Sequence, residues 1–394
     1  MKKSRILILI GCLCLILSGC FQGKGKFSEG GASSINKEIK KMSLDEKIGQ
    51  LMVIGLDGTT FSQEMDNLIR NYHVGGIIIM GKNISTAQDM LKLINNSKKT
   101  NEHNKIPLFI SVDEEGGEVS RLPEEFKKLP SNGEIGNRND EEFSYRVGTY
   151  LAEALNEFGY NMNFAPVLDV NSNPQNPVIG SRSFGEDPEQ VATLGISTMR
   201  GMMDKDVIPV VKHFPGHGDT YVDSHKALPV VNTTLDSLQE LELIPFQRAI
   251  DEGVDAVMVA HILYPELDPE YPSSLSKVII TDLLREKMQF DGVVITDDLT
   301  MGAIKNEYTI PEAALQSFIA GSDLLLVVHG YNNEIRTINA LKNAVETGAV
   351  SEERVDESLK RILTLKRKYG ITDEEKEFVD VESVNRLYDE LTGS

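Results

Sequence analysis

The amino-acid sequence predicts an α/β protein built as one (β/α)8 barrel. Three observations carry that expectation. Eight short runs rich in Val, Ile, Leu and Met recur along the chain, and longer amphipathic stretches separate most of them. Most of the runs are almost continuously apolar, as expected for parallel strands buried on both faces. A length of 394 residues is ordinary for one large barrel.

Taken in order, the runs are GQLMVIGL (49–56), VGGIIIM (74–80), IPLFISVD (106–113) and NMNFAPVLDV (161–170). VIPVVKHF (207–214), VDAVMVAHI (254–262), DGVVITDD (291–298) and SDLLLVVH (322–329) complete the set. Between them, DEEFSYRVGTYLAEALNEFG (140–159) reads as a helix, with Asp140 as its cap and Gly159 as its stop. TTLDSLQELELIPFQRAIDEG (233–253) reads as one helix running to Gly253 in the same way. The acidic tail from about Ile371 reads as a peripheral helix packed on the barrel. Neither GxGxxG nor GxxxxGK[ST] occurs, which weighs against a nucleotide-binding open sheet, the alternative architecture.

The N-terminus reads as a targeting signal. Lys2, Lys3 and Arg5 precede an apolar stretch from Ile6 to Leu17, too short to span a bilayer and suited to a cleaved signal. Leu17-Ser18-Gly19-Cys20 resembles a bacterial lipobox, which implies cleavage before Cys20 and acylation of that cysteine. Cys12, Cys14 and Cys20 are the only cysteines, so the mature chain has no thiol for a disulfide or a thiolate metal site. The expected organisation is a signal peptide over 1–19, a lipidated Cys20 with a Gly/Ser-rich flexible tether over 20–35, and a catalytic barrel over 36–394. A formal charge of -20 would repel a nucleic-acid backbone. The expected setting is the extracytoplasmic face of a bacterial cell membrane, and the expected state a monomer.

The chemistry is read from where the strands end. Asp113 ends the third run, Asp169 lies near the end of the fourth and Lys212-His213 near the end of the fifth. His261, Asp297-Asp298 and His329 fall at the ends of the sixth, seventh and eighth. Polar groups at one end of strand after strand mark the face where barrel enzymes hold their active sites. Many carboxylates and few thiols suit acid–base chemistry on a polar substrate. Two groups flanking a glycosidic bond would make a glycosidase, with Asp297 or Asp298 as nucleophile. The loop after Phe214 supplies the second group. Pro215, Gly216 and Gly218 are expected to make it mobile, and Asp223 stands two residues from His225, where it can orient the imidazole.

A zinc site built from His213, His217, Asp219, Asp223 and His225 is the competing reading. Pro215-Gly216 breaks the helix that would align the first pair, so no metal and no cofactor are expected. His217 and Asp219 are expected to shape the loop, Asp298 to buttress its neighbour and Asp169 to make structural hydrogen bonds. His261 and His329 are left between strand termination and substrate contact, and His73 and His103 are read as surface residues.

Four segments, VDEEGGEVSRL (112–122), NPVIGSRSFGEDP (176–188), KHFPGHGDTYVDSH (212–225) and GVVITDDLTM (292–301), together resemble glycoside hydrolase family 3. The likeness is to its single-domain β-N-acetylglucosaminidase branch and covers residues 36–370, with the motifs in family order. The resemblance implies a (β/α)8 barrel, Asp297 as nucleophile, and Asp223 with His225 as the acid/base dyad. It also implies that Asp113, Arg121, Arg182, Lys212 and His213 bind the nonreducing sugar. The implied substrates are GlcNAc-containing saccharides, namely muropeptides or chitooligosaccharides. Two features depart from the family pattern: Glu118 stands where many relatives have arginine, and the chain has no tryptophan to stack on a sugar. A phosphorylase using the same histidine and a lipid-anchored sugar-binding protein are the other functions weighed.

Overall fold

The computed structural model describes residues 29–393. The expected signal peptide, Cys20 and the first part of the tether lie outside the described residues. Eight parallel strands form the barrel: β1 (Met52–Ile54), β2 (Gly76–Ile79), β3 (Phe109–Val112), β4 (Met162–Asn163), β5 (Ile208–Phe214), β6 (Ala256–Val259), β7 (Val293–Thr296) and β8 (Leu325–Val327). Each pairs with its sequence neighbour and β1 also pairs with β8. A parallel bridge between Ile295 and Leu324 closes the ring. At that seam Thr296 Oγ1 accepts from the Leu326 N–H at 3.0 Å, adding a side-chain rung. The strand side chains are buried without exception, which explains their unbroken apolar runs. Burying one Leu, Ile or Val stabilises the fold by roughly 1.5–3 kcal/mol.

Several expected elements change at their edges. The fourth strand shrinks to two residues and a bridge between Val167 and Lys212, because Pro166 has no N–H to donate to the ladder. The helix over 141–158 has the expected Asp140 cap and Gly159 stop. The single helix expected over 233–253 is two, Leu235–Glu240 and Leu243–Asp251, broken at Leu241 with φ -137° and ψ -77°. Pro245 explains the break, since its ring collides with the carbonyl four residues back in a continuous helix. The tail helix begins only at Val381 and packs on the 141–158 helix. The tether is shorter than expected, because a helix already runs from Glu29 to Ile39 and buries Ile35 and Ile39.

The helix Glu352–Lys368 lies across the N-terminal end of the barrel. Its Ser358 and Arg361 reach Asp323 before β8 at 2.6 and 3.2 Å. Its Lys366 donates to Gly75 O before β2, Pro107 O before β3, and Gln50 Oε1, at 2.8, 2.7 and 2.9 Å. Lys368 and Tyr369 meet Asp255 before β6. Burial lowers the Lys366 ammonium to about 7, and its three acceptors compensate the lost hydration. The Glu29–Ile39 helix packs on this same helix, with Glu38 paired to Arg367. The chain therefore enters the described fold at the closed end of the barrel. Among the described residues, no helix is long and apolar enough to cross a membrane.

Candidate active site

A cavity of about 350 Å3 opens at the opposite end, where the strands terminate. Asp113, Arg121, Arg182, Lys212, His213, His225 and Asp297 all line it. Asp223 stands behind His225 rather than in the wall. A second cavity, about 470 Å3, lies among Lys37, Lys41, His73 and Lys105 at the barrel's other end, away from every strand C-terminus.

The floor is an ion network around a residue that sequence reasoning missed. Glu115 is buried, receives Arg182 Nε and Nη2 at 2.8 Å each, and meets Lys212 Nζ at 2.7 Å. Lys212 also donates to Asp113 Oδ1 at 2.5 Å. Two cations and two carboxylates thus balance, which burial requires. Burial alone would raise the Glu115 carboxyl, but Lys212 and Arg182 outweigh it and hold it far below the usual range. Burial likewise opposes the Lys212 ammonium, and Asp113 and Glu115 raise it nonetheless. Beside Glu115, Glu114 binds Ser120 Oγ and the N–H groups of Arg121 and Leu122, fixing the turn that carries Arg121. Arg121 lines the cavity, and its buried Nε has no hydrogen-bond partner among the described residues. Glu118 sits exposed at the tip of that turn.

His213 is held by Asp169, whose Oδ2 lies 2.6 Å from Nδ1. A carboxylate only accepts, so Nδ1 carries the hydrogen and Nε2 faces the cavity, 3.5 Å from Arg182 Nη2. Asp169 Oδ1 also accepts from the N–H groups of His213 and His217, at 3.1 and 2.7 Å. Asp169 is thus the structural hydrogen-bonding residue expected from the sequence. The His217 ring is occupied by protein on both sides, Thr220 Oγ1 at 2.8 Å and Ser224 Oγ at 3.1 Å. Burial pushes His217 down to about 4, so it is neutral at neutral pH.

The loop from Pro215 to Tyr221 is not the free connection expected. Asn176 Nδ2 donates to His217 O and Gly218 O at 2.8 and 2.9 Å, and Asn173 Nδ2 to Thr220 O at 3.2 Å. A Cβ on Gly218 would lie 1.6 Å from Val170 O. Gly218 therefore permits close packing rather than motion. Tyr221 projects into solvent from this loop.

The two aspartates after β7 differ in kind. Asp298 accepts from Thr300 N, Thr300 Oγ1 and Val328 N at 2.9, 2.5 and 3.1 Å, so both its oxygens brace the turn. Asp297 accepts one bond, from the Asp298 N–H at 2.8 Å on Oδ1. Its Oδ2 has no protein partner among the described residues. Burial would raise the Asp297 carboxyl, but His261, His213, the Asp298 N–H and His225 hold it below its usual value. It is an ionised carboxylate with one oxygen free.

His261 is buried, and burial lowers its pKa; the neutral ring donates from Nε2 to Asp298 O (3.0 Å) and accepts at Nδ1 from Ser274 Oγ (2.6 Å). Of its two expected roles, that arrangement leaves the strand-terminating one. His329 lines the cavity, 3.9 Å from Asp298 Oδ2 and 3.0 Å from Lys82 Nζ.

Asp223 Oδ1 accepts from both the backbone N–H and Nδ1 of His225, at 2.9 Å each. Burial would raise Asp223; the His225 bonds and Lys226, 3.5 Å away, hold it below its usual value. With Nδ1–H pointed at a carboxylate, Nε2 is the His225 nitrogen that can exchange a proton across the cavity.

The N-terminal domain profile of glycosyl hydrolase family 3 matches residues 43–365. The chain is 35% identical to a Beta-hexosaminidase A from Pseudoalteromonas piscicida, over 79% of this chain and 56% of that one. It is 32% identical to a Beta-hexosaminidase from Nitrosomonas eutropha, over 78% of this chain and 89% of that one. It superposes on a glycoside hydrolase family 3 beta-N-acetylglucosaminidase from a Paenibacillus species with a TM-score of 0.84 and 42% identity, covering 89% of this chain and 68% of that one. The chain spans just over half the length of the first of these relatives and most of the second. With the profile covering the whole barrel, the chain belongs to glycosyl hydrolase family 3.

Proposed function

We propose that this chain is a retaining β-N-acetylglucosaminidase that removes terminal nonreducing GlcNAc from peptidoglycan-derived saccharides. One observation carries the reading. An ionised aspartate with a free oxygen and a carboxylate-backed histidine line the same cavity, beside a charge-balanced set of sugar-binding groups. Asp297 attacks the anomeric carbon while His225 Nε2 gives its proton to the glycosidic oxygen, and the aglycone leaves. His225 then takes a proton from water, which displaces Asp297 and releases the sugar with its configuration retained. Asp223 stabilises the imidazolium in the protonated stages. Asp113, Arg121, Arg182, Lys212 and His213 hold the sugar hydroxyls, and Glu115 keeps two of those cations in place.

Proton NMR of the reaction on a defined GlcNAc-terminated muropeptide or chitooligosaccharide tests this. The β-anomer of free GlcNAc is expected first. Early α-anomer would mean inversion, and sugar phosphate in phosphate buffer would mean a phosphorylase. Binding without release of either would mean a sugar-binding protein. The lipobox-like segment supports anchoring through acylated Cys20 on the outer face of the cell membrane. The intact chain is then expected in the membrane fraction and Cys20→Ala in the soluble one; an unchanged distribution counts against the anchor.

A further inference from the structure

We propose that Gly302 is a positioning residue that sets the acid/base histidine against the nucleophile. The inference rests on the reading of His225 and Asp297 given above. These two groups sit on different loops, and proton transfer to a departing oxygen requires that their separation be fixed.

The connection is short. β7 ends at Thr296, Asp297 follows, and the turn after it enters a four-residue helix, Gly302–Lys305. Asp298 makes that turn rigid through Thr300 and through the Met301 N–H, which donates to Asp298 O at 2.9 Å. The first N–H groups of a helix have no partner inside it. Here they are spent on the acid/base loop. Gly302 N donates to His225 O at 3.1 Å and Ala303 N to Ser224 O at 3.0 Å. Asn306 Nδ2 donates to Lys226 O at 3.1 Å. Three consecutive carbonyls, those of 224, 225 and 226, are clasped by one segment that begins five residues after the nucleophile. The loop is gripped from its other side by the His217 ring on Ser224 Oγ.

Gly302 is what allows the clasp to close. It is helical, so no left-handed backbone calls for glycine here. A Cβ at this position would lie 2.6 Å from both His225 O and Lys226 O, and 2.7 Å from Lys226 C. All three are backbone atoms, and Cβ contacts essentially never fall below 3.0 Å. Any side chain at 302 therefore forces a shift between the segment that follows Asp297 and the backbone that carries His225. A misplacement of about 1 Å at a reacting group costs on the order of 10²-fold.

The test is the leaving-group dependence of Gly302→Ala, with His225→Ala measured alongside. For an aryl glycoside with a poor leaving group, kcat/KM of Gly302→Ala is expected to fall roughly 10²-fold; with an activated dinitrophenyl group, by about threefold or less. Asn306→Ala, which removes one of the three bonds and leaves Gly302 in place, is expected to shift the same ratio by about threefold. It carries the test if Gly302→Ala does not fold. Equal losses on both substrates, or no loss on either, overturn the clasp. If His225→Ala itself shows no leaving-group dependence, the acid/base reading fails; if only the clasp variants lack it, the positioning role alone fails.

Discussion

Asp297→Ala is expected to reduce turnover on the order of 10⁴–10⁶-fold, and on activated and unactivated substrates alike. Losing the nucleophile removes the covalent route for every aglycone, because no leaving-group quality replaces an absent attacking atom. The truncation also opens space beneath the anomeric carbon. Sodium azide should enter it and attack once, giving an α-glycosyl azide of inverted configuration. The choice of Asp297 over Asp298 rests on occupancy, since Thr300 and Val328 hold both Asp298 oxygens. Asp298→Ala should therefore act through a loosened turn. Robust hydrolysis by Asp297→Ala, together with a larger loss in Asp298→Ala, would reverse the assignment.

His225→Ala is the second large effect, and its signature is selectivity. On a poor leaving group the first step should slow by about 10²–10⁴-fold, the usual worth of a positioned acid. On a dinitrophenyl glycoside the aglycone departs without a proton, so the glycosyl-enzyme should form and then accumulate for want of a base. Azide needs no base, and should discharge that intermediate as the β-glycosyl azide, by a second inversion. The acidic limb of the wild-type rate, where the Asp297 nucleophile becomes protonated, should lie below the ordinary carboxylate range, since its neighbours hold that carboxyl below its usual value. Uniform slowing across leaving groups would remove His225 from the acid role.

Much of the barrel was legible because buried parallel strands write themselves as apolar runs, and because charged residues follow most of them. The catalytic end was legible for the same reason. What the sequence hid were pairings between distant residues. Glu115 lies just past a strand end already marked by Asp113, and its partners come 67 and 97 positions later. The doubled acid in VDEEGG was the available signal. Glycine permits freedom in any loop, yet at Gly218 the close approach of Val170 O is a contact across the chain that spacing cannot show. The division of the 233–253 helix, by contrast, was written in Pro245. His261 stands at a strand end like the proposed catalytic Asp297, and only its bonds to Ser274 and Asp298 set it apart.

The helix that begins at Glu29 meets the barrel at its closed end, opposite the cavity. Eight residues separate Cys20 from Glu29, a leash of at most about 32 Å when fully extended. On the proposed anchor, the tether would join the lipid from the base of the barrel, leaving the mouth at the end farther from the attachment. Such an enzyme would work as an outward-facing scavenger: fragments arriving from the surrounding wall reach the mouth directly. Glycan lying flat on the bilayer would be screened by the body of the protein itself.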